Sequence, residues 1–142
     1  MKLQQISVFL ENRPGHLGAL CKVLADSKIN LNTLSLADSG EFGLLRLITS
    51  EPERARQVLQ TGGYAHALTE VMALEVPNHP GGLAQVLSVI DRQQIGVEYM
   101  YAFAAGCSGS AVMIFRFSDM DKALQALKSE GIKVYEKVDL LG

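Results

Sequence analysis

Asn12-Arg13-Pro14-Gly15-His16-Leu17 returns as Asn78-His79-Pro80-Gly81-Gly82-Leu83, so the chain carries Asn-x-Pro-Gly-x-Leu twice. The shift is 66 residues (78 − 12), and Ile29 to Ile95 keeps it (95 − 29). Further on, Ser50 to Ser118 and Leu59 to Leu127 are both shifts of 68. Two extra residues therefore lie between the second and third strands of the second half, in the Gly106 to Gly109 turn. Two copies of this length argue for a duplicated unit and not for a solenoid, which needs at least three.

Each turn follows an alternating apolar run and opens an amphipathic one. Ile6, Val8 and Leu10 alternate as a strand, and Leu17, Leu20, Cys21 and Leu24 recur at helical spacing. Pro14 suits a first helical position, where its missing N–H is no loss. The helix is expected to run to about Lys28. Leu31 to Ala37 and Phe42 to Thr49 read as strands around the turn at Asp38-Ser39-Gly40. Ser50-Glu51-Pro52-Glu53 has a capping-box pattern, and Gly62-Gly63 ends the helix that follows.

The second half repeats that order. Met72, Leu74 and Val76 alternate, Leu83, Val86, Leu87 and Ile90 mark a helix, and Val97, Tyr99, Tyr101 and Phe103 share one strand face. Ala111 to Phe117 is the next strand. Ser118 to Asp121 offers a cap for a helix that Gly131 ends, and Val134 to Val138 reads as a last strand.

The order in each half is βαββαβ, the split or ferredoxin-like arrangement, with both helices on one face of a four-stranded antiparallel sheet. The expected class is α+β, two such units in tandem, residues 1–69 and 70–142. Phe9, Leu44, Ile48, Tyr99 and Tyr101 cannot all face the helices, so a second layer is expected over the other sheet face. Tyr64 to Val76 contains no Gly, Pro, Asn or Asp, hence no turn. The reading is one long strand, 64–76, shared by both units.

Composition removes several functions. The 142 residues are 48% hydrophobic and 20% charged, with a net charge of −2. No Lys/Arg-rich run supplies the electrostatic footprint of a nucleic-acid binder. No window suggests a membrane span or a signal peptide, so the expected location is cytoplasmic. Cys21 reads as a small buried hydrophobe and Cys107 as an exposed thiol of a reducing compartment. The three histidines, His16, His66 and His79, form no metal-ligand spacing, and no metal or cofactor is expected. Gly106-Cys107-Ser108-Gly109-Ser110 lacks a Walker lysine and precedes a strand. No nucleophile has a base nearby in sequence, so no enzyme is expected. The aromatic stripe reads as core or interface, and the acidic chain argues against RNA.

That leaves the turns. A helix N-terminus presents unpaired N–H groups and a positive dipole end, and glycine lets a ligand approach. Such a turn either holds a small carboxylate or phosphate or simply starts a helix.

The two motifs, with Ile29-Asn30-Leu31 and Ile95-Gly96-Val97 after their helices, resemble the ACT domain family over nearly the whole chain. The resemblance implies a regulatory pair that binds an amino acid between units, with possible homodimerisation or a metabolic enzyme partner. It implies ligand contacts from Asn12, Arg13, Pro14, Gly15, His16 and Leu17, and from Asn78, His79, Pro80, Gly81, Gly82 and Leu83. The facing strand of a neighbouring unit would add Asn32, Thr33 and Leu34, or Glu98, Tyr99 and Met100. Arg13 is matched by His79, His16 by Gly82 and Asn32 by Glu98, so the two sites are unequal. The alternative is a ligand-free oligomerisation or protein-interaction module.

Overall fold

A computed structural model describes residues 2–103 and 109–141. The reading of Cys107, and most of the turn around it, lies outside those residues. The alternation of Ile6, Val8 and Leu10 becomes β1 (Leu3–Glu11), followed by α1 (His16–Asp26), β2 (Thr33–Ser39), β3 (Phe42–Ile48) and α2 (Pro52–Thr61). Then come β4 (His66–Pro77), α3 (Gly82–Arg92), β5 (Val97–Ala102), β6 (Ser110–Phe117), α4 (Met120–Ser129) and α5 (Lys137–Leu141). The protein is α+β with antiparallel strand pairing.

The chain divides into two compact units, with the division between Thr69 and Glu70 inside β4. In the first unit the strand order is β2-β3-β1-β4. Ile6 opposes Leu47, and Val8 opposes Leu45, on the face where α1 and α2 pack. Leu20, Leu24, Ala55 and Leu59 from those helices are fully buried against it. Each leucine removed from water contributes about 1.5–3 kcal/mol. On the other face, Phe9 opposes Leu44 and Ser7 opposes Arg46. Phe9 remains 52% exposed there, while Ile48 is fully buried.

In the second unit the order is β4-β6-β5. Met72, Leu74 and Val76 with Phe115 and Phe117 form the floor under α3 and α4. Phe115 and Phe117 stack with ring centroids 5.2 Å apart. Val71, Ala73, Val112 and Ile114 on the opposite face are also buried. The backbone of the two units repeats atom for atom in places. Phe9 N donates to Ala65 O, and its counterpart Glu75 N donates to Lys133 O, both at 3.0 Å. Lys28 and Gln94, equivalent residues after the first helix of each half, both take positive φ, 58° and 56°.

Several local expectations need correction. α1 starts at His16, not Pro14, because Gly15 takes a left-handed N-cap conformation and places Pro14 in the turn. The Ser50–Glu53 box does not form: Glu51 is the N-cap, and its N–H donates to Thr49 Oγ1 at 3.3 Å. α4 is capped by Asp119, whose Oδ1 accepts from Lys122 N at 3.0 Å. Ser118 is drawn away, its hydroxyl accepting from Gly96 N at 2.8 Å. The final strand shrinks to a bridge between Leu74 and Val134. Residues from Lys137 turn into α5 instead, helped by Asp139, whose Oδ2 accepts from Glu136 N at 3.1 Å. Cys21 is half-buried and not enclosed.

Candidate functional site: two turns and two clefts

The two Pro-Gly turns share one geometry. Gly15 and Gly81 cap their helices at φ 88° and 85°, a left-handed conformation that costs a residue with a side chain about 1–2 kcal/mol. Three backbone bonds recur. Asn12 N donates to Glu41 O, as Asn78 N does to Gly109 O; His16 N donates to Arg13 O, as Gly82 N does to His79 O; Ala19 N donates to Gly15 O, as Gln85 N does to Gly81 O. Asn12, Arg13, Pro14 and Gly15 are exposed, as are Asn78, His79, Pro80 and Gly81. The turns themselves therefore lie open to solvent, while the first helical N–H of each, on His16 and Gly82, is already taken by the turn. Leu17 and Leu83 lean onto the cores below.

The side chains are partly engaged. Arg13 pairs with Glu11 at 2.6 Å, and Asn12 Nδ2 donates to Gly40 O at 3.3 Å. His79 Nδ1 lies 2.9 Å from Pro80 O. A carbonyl only accepts, so Nδ1 is the donor of this bond. Gly82 is glycine for a different reason from Gly81. A Cβ there would lie 1.9 Å from Pro77 O, whereas at Gly15 and Gly81 it would meet nothing within 4 Å. Gly82 is buried, so it marks close packing of α3 on the end of β4 and not a wider mouth.

The strand residues are placed elsewhere. Thr33 opposes Ile48 at one end of β3, while Glu11 opposes Phe42 at the other. Those ends are six residues apart, roughly 20 Å of strand. The second unit does the same: Pro77 opposes Ser110, and Tyr99 opposes Arg116. Within one unit, then, the turn residues come together with one another and not with Asn32, Thr33, Leu34 or Glu98, Tyr99, Met100. Asn32 precedes β2 with its Oδ1 buried and without a hydrogen-bond partner, and Thr33 is buried. Leu34 is 43% exposed. Glu98 reaches Arg116 at 3.4 Å, and Met100 packs on the core.

The sequence missed a cavity of about 470 Å³ in the second unit, between α3 and residues 130–133. Val86, Val89 and Ile132 give it an apolar floor, with Gln85, Arg92 and Glu130 among its rim. Its counterpart in the first unit, about 300 Å³, is lined by His16, Ala19, Gly62, Gly63 and Tyr64. Among the described residues no group of three His, Cys, Asp or Glu side chains is placed to hold a metal, and no helix is long and apolar enough to cross a membrane.

A family profile described as an ACT domain pair matches residues 1–141. The crystal structure of protein BT0572 from Bacteroides thetaiotaomicron is similar at 38% identity and a TM-score of 0.91, covering 99% of this chain and 96% of that one. The regulatory subunit of aspartate kinase from Thermus thermophilus, in its ligand-free form, shares the fold at 14% identity and a TM-score of 0.66, covering 89% and 91%. The corresponding subunit from Thermus flavus does so at 13% and 0.63, covering 89% and 90%. No curated protein matches the chain.

Proposed function

The chain belongs to the ACT domain pair family, and from that premise we propose that it is a regulatory protein binding an amino acid where the turn of one unit meets the second strand of another. Residues 1–69 and 70–142 would be its two working units. The observation that carries the reading is the turn itself, built twice with the same left-handed glycine and the same three backbone bonds, and exposed both times. A helix start of this kind favours a carboxylate ligand. Because turn and strand stand at opposite ends of their own unit, a site using both must borrow from another unit. Two of the proteins that share its fold are regulatory subunits of aspartate kinase, which accords with a regulatory role.

The ligand's carboxylate would take the first-turn amides, and its side chain would be sorted by Arg13 and His16 in one copy and by His79 in the other. Binding shifts the packing of units only as far as the ligand prefers one arrangement. Thermal-shift and calorimetric titration with each proteinogenic amino acid tests this. A stabilising response to one or a few is expected; none to any would sink it.

A second reading, a homodimerising or enzyme-binding module that needs no ligand, is favoured by Leu34, Leu36, Phe9 and Phe42, all more than 40% exposed in the first unit. β2, which carries Leu34 and Leu36, ends the strand order there. Assembly unchanged by every amino acid would select that reading.

A further inference from the structure

The lining of the cavity beside α3 differs in chemistry from the equivalent residues of the first half. Ala19 in the first unit becomes Gln85, Gly62 becomes Glu130 and Tyr64 becomes Ile132, with the backbone repeat kept at both ends. Asp26, which ends α1 and pairs with Lys22 on its own helix, becomes Arg92. Arg92 instead pairs with Glu130, 3.4 Å away, and both line the cavity, as do Glu75 and Lys133. The space holds about 470 Å³. That is within the range of small-molecule sites, roughly 300–1,000 Å³.

We propose that this cavity is a second small-molecule site, taking an aliphatic zwitterion: an ammonium and a carboxylate on a branched apolar body. The carboxylate goes to Arg92, the ammonium to Glu130, and the apolar body rests on Val86, Val89 and Ile132. Both members of the ion pair are at least half exposed. Such a pair contributes about 0–1 kcal/mol, so a ligand that answers both charges splits it at little cost. A ligand carrying one charge makes only one of the two charge-assisted contacts, which favours the zwitterion. A bound zwitterion would tie α3 to the segment that follows α4. The site involves none of the turn or strand residues named above, so it stands whether or not they bind anything.

The test is an amide-resolved NMR titration of the full chain with L-leucine, set against 4-methylpentanoate and isopentylamine, which carry one charge each. Leucine is expected to shift the amides of Gln85, Ser88, Arg92 and residues 130–132, with each analogue at least about tenfold weaker. Arg92→Gln and Glu130→Gln are each expected to weaken leucine about tenfold, and Lys22→Gln to leave it unchanged. The double exchange Arg92→Glu with Glu130→Arg keeps both charges, and is expected to recover most of the binding. Shifts confined to residues 78–83 and 98–100, no shift at the cavity amides at any concentration up to about 10 mM, or an analogue equal to leucine would each overturn the proposal.

Discussion

Gly82→Ala separates two explanations of the double glycine at the second turn. One holds that Gly81 and Gly82 both keep a mouth open; the other holds that Gly82 serves packing. The Cβ of alanine would sit 1.9 Å from Pro77 O, 2.8 Å from Pro77 C and 3.1 Å from Pro77 Cβ. The first two atoms are backbone, and they cannot turn aside as a side chain would. Overpacking of this kind costs typically 1–3 kcal/mol. Against it stands the helix preference for alanine, about 0.5–1 kcal/mol in a helix interior and less at Gly82, the first residue of α3. The net expectation is a loss of about 0.5–2.5 kcal/mol, or about 2–8 °C in Tm for a chain of this size. Urea denaturation followed by circular dichroism reads it as a lower midpoint with an unchanged slope. His16→Ala, at the equivalent residue of the first half, is expected to stay within about 0.5 kcal/mol. A Gly82→Ala protein as stable as the parent would refute the packing account.

Gly15→Ala and Gly81→Ala meet open space but left-handed backbone, so each is expected to cost about 1–2 kcal/mol, read by the same denaturation. Asp119→Ala removes the only side-chain helix cap found among the described residues of α1–α4, and is expected to cost about 1 kcal/mol; Ser50→Ala is expected to be near neutral. Lys2 lies 2.5 Å from Asp121 Oδ1 and 3.4 Å from Glu70 Oε2. Its hydrogen bond to Asp121 raises its pKa above the ordinary 10.5. A raised lysine stabilises the fold below its unfolded pKa, and that contribution fades as pH climbs through the folded value. Lys2→Met should therefore flatten the alkaline fall in stability above about pH 10.5 relative to the parent; identical pH profiles would contradict it.

The repeat made the unit legible, because a two-copy motif at one shift fixes which strands and helices correspond. The absence of turn residues between Tyr64 and Val76 likewise agrees with β4 running unbroken from His66 to Pro77. Caps were read less well. Ser50 and Ser118 are good cap residues by type, but Ser118 is recruited by Gly96, just before β5, a partner no local pattern shows. Val134 to Val138 alternates like a strand, yet only Val134 finds a bridge before Asp139 helps start α5. In sequence Gly82 is one more glycine of the turn; only the Pro77 carbonyl shows that its missing Cβ serves close packing. The cavity beside α3 was invisible for a related reason. Arg92 and Glu130 belong to different elements, and their meeting depends on how α3 packs beside the end of α4.

The most direct test of a ligand held by turn and strand is a crystal structure of the full chain grown with the amino acid that raises its Tm most. The account predicts density for the carboxylate on the amides following Gly15 or Gly81, with the ligand's other end against Asn32–Leu34 or Glu98–Met100 of a different unit. Empty turns in crystals grown with saturating amino acid would contradict it, wherever else in the molecule the density appeared.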